Sequence, residues 1–208
     1  MNTLQVNKIS LPSINFESLR FAFKELDWHT IDHAPWKVEF PYIPKVKFQI
    51  AYNSEYIFIK YHVQEEFVKA TYVRANENVW EDSCVEFFVS FDNKQSYYNF
   101  EFNALGTGLI GYGSAVKTER KRLTAEEIDS VDVYTQLSKI NGKKQWEISL
   151  IIPITLFGDK RLEGSTFHAN FYKCGDELPK PHFVTWNTID LPKPNFHRPD
   201  FFGEINFI

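Results

Sequence analysis

The chain has 208 residues, 43% of them apolar and 24% charged, with a net charge of −4. That length suits one sandwich or barrel domain, and the apolar share supplies a core and excludes wholesale disorder. The acidic balance argues against a nucleic-acid partner. Twenty Phe, ten Tyr and five Trp stand against a single Met, a composition that favours pleated, half-buried surfaces over helices.

In chain order, residues 1–25 read as an N-terminal extension that packs on the rest, with a helix over Asn15 to Leu26. No long apolar run follows a basic start here, so no secretory leader is read. A cytoplasmic location is expected, or a periplasmic or extracellular one if a leader has been removed. Strands follow at Lys45 to Tyr52 and Tyr56 to Val63, where Ile57, Ile59, Tyr61 and Val63 alternate against Phe58, Lys60 and His62. Strict alternation is the mark of a half-buried strand. Asp82 to Phe91, Tyr97 to Ala104, Val131 to Leu137, Trp146 to Ile152, Thr166 to Cys174, Phe183 to Ile189 and Glu204 to Ile208 read the same way. Thr124 with Glu127 forms a capping box that starts one short helix. The longest apolar stretch, Ile148 to Phe157, is too short to span a bilayer, so no membrane partner is expected. The sum is an all-β, antiparallel, jelly-roll-like β-sandwich with few short helices, one domain over 1–208. The late prolines, from Pro179 to Pro199, mark loops that wrap it.

The pair Asp82 to Phe91 and Tyr97 to Ala104 carries the candidate chemistry. Burying Val85, Phe87, Val89 and Phe91 on one strand and Tyr98, Phe100, Phe102 and Ala104 on the other fixes the faces. A four-residue connection, Asn93 to Ser96, sets Glu86 opposite Asn103, Phe88 opposite Glu101 and Ser90 opposite Asn99. Glu86 and Glu101 are then diagonal neighbours. Carboxylates and amides at such spacing offer the donors and acceptors that vicinal hydroxyls need. Trp80 stands at the mouth of this strand and Trp186 in a distant one; an indole face can cover the C–H face of a sugar. A solvated sheet face and core tryptophans explain the same residues.

Val79-Trp80-Glu81-Asp82-Ser83-Cys84-Val85-Glu86-Phe87-Phe88 resembles the central signature of family 9 carbohydrate-binding modules and their stand-alone bacterial relatives. Tyr97 to Gly106 resembles the family's second strand, and Phe196 to Ile205 its C-terminus; the resemblance covers roughly Leu26 to Ile208. It implies that two Trp side chains sandwich a terminal sugar of a mono- or oligosaccharide. Trp80 matches the first wall, Glu86 a sugar-binding Glu and Asn103 a binding Asn. Two residues before that Asn the family places an Arg, where this chain has Glu101. Trp186, with Asn187 nearby, is the candidate second wall. The resemblance also implies xylan or cellulose breakdown as the setting and a structural calcium ion, although no EF-hand pattern is present.

Two other readings compete with non-catalytic sugar binding. A diagonal Glu86–Glu101 pair could reach the roughly 6.5–9.5 Å of an inverting glycosidase. A structural or interaction sandwich that has lost sugar binding is the other. Cys84 and Cys174 form no disulfide framework and lack metal-ligand spacing, and an inert Cys84 is expected. His29 and His33 lack a zinc motif. Lys117 to Arg122 reads as a solvated rim, and Gly106, Gly108, Gly111 and Gly113 as bends and close packing.

Overall fold

The computed structural model describes residues 1–158 and 160–208. Thirteen strands form it: β1 (Thr3–Lys8), β2 (His29–Thr30), β3 (Lys45–Tyr52), β4 (Tyr56–Gln64), β5 (Cys84–Ser90), β6 (Tyr97–Asn103), β7 (Gly108–Gly113), β8 (Lys121–Arg122), β9 (Asp132–Ile140), β10 (Lys143–Pro153), β11 (Thr166–Cys174), β12 (Phe183–Thr185) and β13 (Gly203–Phe207). Two short helices, α1 (Phe16–Ala22) and α2 (Ala125–Asp129), complete it with a few 3-10 turns. The strands make one curled sheet in the order β8-β7-β6-β5-β11-β13-β1-β3-β4-β10-β9. Its two halves face each other as an all-β sandwich.

The alternating apolar residues dictate the interior. Ile57, Ile59, Tyr61 and Val63 of β4 meet Val85, Phe87 and Val89 of β5, Phe100 and Phe102 of β6, and Phe171 of β11 in one core. Phe171 stacks between Phe48, at 3.9 Å between ring centroids, and Phe87, at 5.0 Å. Such aromatic pairs add about 0.5–1.5 kcal/mol each beyond their burial.

β1 departs from the expected extension. It is a strand that joins the two halves, pairing in parallel with β13 over Thr3 to Val6 and with β3 at Asn7 and Lys8. The sheet is therefore antiparallel except around β1. α1 covers the outer side of the second half, where Leu19 and Phe23 bury Phe58 and Ile151. The expected capping box is formed at α2.

The face of β5, β6 and β11 that points away from the core is not solvated. Every residue of β5 is buried. Phe88, Tyr97 and Tyr172 on that face pack under Trp36, Ile189, Phe196 and Phe202. The proline-rich tail folds back over this half-sheet, so the apolar side chains of both faces leave water. The polar groups among them are buried too.

Candidate functional site

The pairing of β5 with β6 places Glu86 opposite Glu101, Cys84 opposite Asn103 and Phe88 opposite Asn99. This is two residues from the register expected from a four-residue connection. The faces are as expected, but each partner is not. Asp92 builds a six-residue loop instead: it accepts from the Ser90 hydroxyl, the Ser96 amide and the Ser96 hydroxyl at 2.9, 2.9 and 2.5 Å. Asn93 and Lys94 take positive φ there.

The outer face then carries a buried polar cluster. Glu86 is 3% exposed, Glu101 4% and Asn99 3%. Asn99 Nδ2 donates to Glu101 Oε1 at 2.8 Å. Arg120 donates to Asn99 Oδ1, and its guanidinium lies 3.9 Å from the Tyr97 ring centroid. Arg120 also donates to the carbonyls of Gly113 and Ser114, both at 2.9 Å. The basic stretch read as a rim thus turns one arginine inward. Burial raises the Glu101 pKa to about 7 against the pull of Asn99, Arg122 and Arg120. Burial, with the Glu101 charge opposite, pushes Glu86 well above the ordinary carboxylate range. Burial likewise raises Asp176 to about 6. This buried cluster therefore sets two carboxyls with raised pKa values, an amide and a guanidinium side by side, donors and acceptors together.

Trp80 sits in the 3-10 turn Val79–Glu81, against β5 and β6, and is half-buried. Its carbonyl accepts from the Asp176 amide at 3.2 Å. The Arg122 guanidinium lies 5.9 Å from its ring centroid. The structure thus brings Trp80, Glu86 and Glu101 together.

Of the other expected members, Trp186 is elsewhere and Asn103 is committed to loop contacts. Trp186 is 6% exposed and belongs to the main core. Its ring packs edge-on against Phe171 at 5.6 Å and Phe48 at 6.2 Å. The reason is that β12 ends at Thr185, and Trp186 turns into the space over Gly203, where a Cβ would meet its ring at 2.7 Å. Asn187 holds Asn2 and the Asn170 carboxamide. Asn103 borders the cluster, but its polar atoms are engaged. Nδ2 donates to the Tyr72 carbonyl and Asp82 Oδ2, at 2.9 and 3.0 Å, and Oδ1 accepts from the Leu105 and Thr107 amides. It holds loops together. Asn99, Arg120 and Asp176 take its place in the cluster. Asn99 was on the expected face, whereas Arg120 and Asp176 gave no periodic signal.

Asp82, the buried carboxylate of the signature, is committed to protein partners rather than open to a calcium ion. Asp82 is fully buried, yet two backbone amides and Asn103 occupy its Oδ2, and the Lys69 ammonium stands 3.8 Å from its Oδ1. A cation's place is taken by that ammonium. Calcium takes six to eight oxygen ligands. Among the described residues, the one cluster of three His, Cys, Asp or Glu ligands contains two thiols.

The model of the family described as "Carbohydrate-binding family 9" matches residues 16–207. A solved structure from Bacteroides uniformis, assigned provisionally to a carbohydrate-binding protein, is 36% identical, covers 99% of both chains and superposes with a TM-score of 0.90. A family 9 module from Caldicellulosiruptor kristjanssonii in complex with glucose shares the fold at 12% identity and a TM-score of 0.64, over 100% of this chain and 96% of that one. Its complex with cellotriose gives a TM-score of 0.61 at 14% identity, over 99% and 93%. A protein of Arthroderma benhamiae described as extracellular is 22% identical over 180 residues, 79% of each chain.

Proposed function

Since the chain belongs to carbohydrate-binding family 9, we propose that it recognises the end of a glucan- or xylan-type oligosaccharide without cleaving it, at the surface where Trp80 meets Glu101. The observation that carries this reading is the buried Glu101–Asn99–Arg120 chain on the sheet face that the half-buried Trp80 turn packs against, with Arg122 5.9 Å from the indole centroid. The indole supplies an apolar wall for sugar C–H groups. The carboxylates, amide and guanidinium supply a fixed set of hydrogen-bonding groups.

The absence of a second tryptophan wall limits affinity. One aromatic contact adds about 0.5–1.5 kcal/mol, and hydrogen bonds to charged groups about 1.5–3 kcal/mol each. Dissociation constants in the micromolar-to-millimolar range follow, about −8 to −4 kcal/mol.

Catalysis by Glu86 and Glu101 is disfavoured on two grounds. They face each other directly, so the diagonal spacing behind an inverting pair is absent. Burial also raises both carboxyls, which works against keeping either one as the ionised partner. Glycosidases need one carboxyl protonated and the other ionised.

Calorimetry with glucose, xylose, cellotriose and xylo-oligosaccharides tests the reading. Trp80→Ala should weaken the best ligand about tenfold, the loss of one stacking contact. Absence of heat with every sugar, or an unchanged affinity in Trp80→Ala, would refute the site.

A further inference from the structure

Ninety residues separate Cys84 from Cys174, yet the antiparallel pairing of β5 with β11 sets them directly opposite each other. Glu86 is two residues further along β5 on the same face. The two sulfurs and a Glu86 carboxylate oxygen all lie within 4.8 Å of one another. Cys174 Sγ is 3.1 Å from Glu86 Oε1 and 3.5 Å from the Trp80 carbonyl oxygen, and the Asp176 carboxyl neighbours the same thiol. All three residues of the triad are buried, and both cysteines are free.

A tetrahedral ion with metal–sulfur bonds near 2.3 Å and metal–oxygen bonds near 2.1 Å spaces its ligand atoms roughly 3.6–3.8 Å apart. The triad is close to that spacing before any ion enters. Two soft sulfurs discriminate against calcium and magnesium and suit zinc. Rigid strands, rather than loops, hold all three donors.

We propose that Cys84, Cys174 and Glu86, completed by Asp176, form a site for a zinc-like divalent cation beneath the Trp80 surface. On binding, each thiol, and the Glu86 carboxyl where it is protonated, gives its proton to solvent and keeps its electron pair for the metal; no oxidant or reductant takes part. The ion would pin β5 to β11 and fix Glu86, independently of whether a sugar binds above it.

The test uses the full chain, kept reduced and stripped with a chelator, then titrated with Co²⁺. The expected result is a thiolate-to-cobalt charge-transfer band with tetrahedral visible bands, saturating at one equivalent and displaced by Zn²⁺. Zn²⁺ should also raise the melting temperature. Cys84→Ala with Cys174→Ala should abolish the bands and the Zn²⁺-dependent shift while far-ultraviolet circular dichroism stays that of the parent. Asp176→Asn, which leaves the strands untouched, should weaken Zn²⁺ about tenfold. Absence of a charge-transfer band in the parent overturns the proposal, as do bands that survive in the double variant. Mass spectrometry showing the loss of two hydrogens under the same reducing conditions also overturns it, because a disulfide commits both sulfurs.

Discussion

Replacing Lys173 by Met should destabilise the fold by about 3–5 kcal/mol, the cost of breaking a buried ion pair by removing one partner. Lys173 alternates onto the inner face of β11, and its side chain is 0% exposed, as is that of Glu65. Nζ lies 3.0 Å from Glu65 Oε2, an oxygen with no aligned donor, so the ammonium charge itself is its partner. The same ammonium donates to the Cys174 carbonyl at 2.6 Å and to His182 Nε2 at 2.7 Å. Methionine keeps most of the volume but leaves the Glu65 carboxylate with the Trp146 indole, which donates to Oε1 at 2.6 Å, and the His182 ring, 3.5 Å from Oε2, but no cation of fixed charge. For a chain of this size each kcal/mol moves the midpoint by about 2–4 °C, so thermal melts should fall by roughly 6–20 °C. Adding Glu65→Gln removes the stranded charge and should restore part of the loss. Urea unfolding of both single variants and the double variant measures the coupling. A loss under about 1 kcal/mol for Lys173→Met, or a double variant equal to the sum of the singles, would refute the reasoning.

Gly111→Ala should weaken sugar binding without touching sugar, because its Cβ would stand 2.6 Å from Asn99 Oδ1; calorimetry on the folded variant reads the loss, and unchanged affinity would remove Asn99 from the site. Burial depresses His182 to a pKa of about 3 and His197 to about 4. Below pH 6.5 the unfolded chain takes up those protons and the folded chain does not. Their stabilisation is therefore complete above pH 6.5 and is lost as pH falls towards 4, by up to about 1.4 kcal/mol per pH unit for each histidine. Urea midpoints of the parent minus those of His182→Gln with His197→Phe, between pH 7.5 and 5, should show that slope; a flat difference would contradict it. His182 accepts from Lys173 at Nε2 and faces the Lys180 carbonyl through Nδ1, so nitrogen-15 shifts should report the neutral Nδ1–H tautomer down to pH 5.

How far these features were legible in the sequence depends on what each signal encodes. β3 and β11 match their expected bounds because apolar residues alternate along them, broken in β11 only at Lys173. β1 offers only Leu4 and Val6 as apolar positions and earns its place by joining two halves distant in sequence. β7 was hidden behind glycines, which are there because a Cβ at Gly108 would stand 2.5 Å from the Phe102 ring. Alternation fixed which way Glu86 and Glu101 point, but a slip of two residues leaves every face unchanged. The Asp92 loop therefore decided the partners. No local pattern tells that a tail covers the outer face, and that cover turned a surface patch into a buried cluster with raised carboxyl pKa values. Cys84 and Cys174 meet through a strand pairing that sequence spacing cannot report.

Amide and indole chemical shifts of the full chain, followed during titration with cellotriose, test the proposed sugar site most directly. The Trp80 indole N–H and the amides around Asn99, Glu101 and Arg120 should move together with one saturation curve, while the Trp186 indole, locked between Phe48 and Phe171, stays still. Saturable shifts centred on any other surface, with Trp80 unmoved, would contradict the assignment.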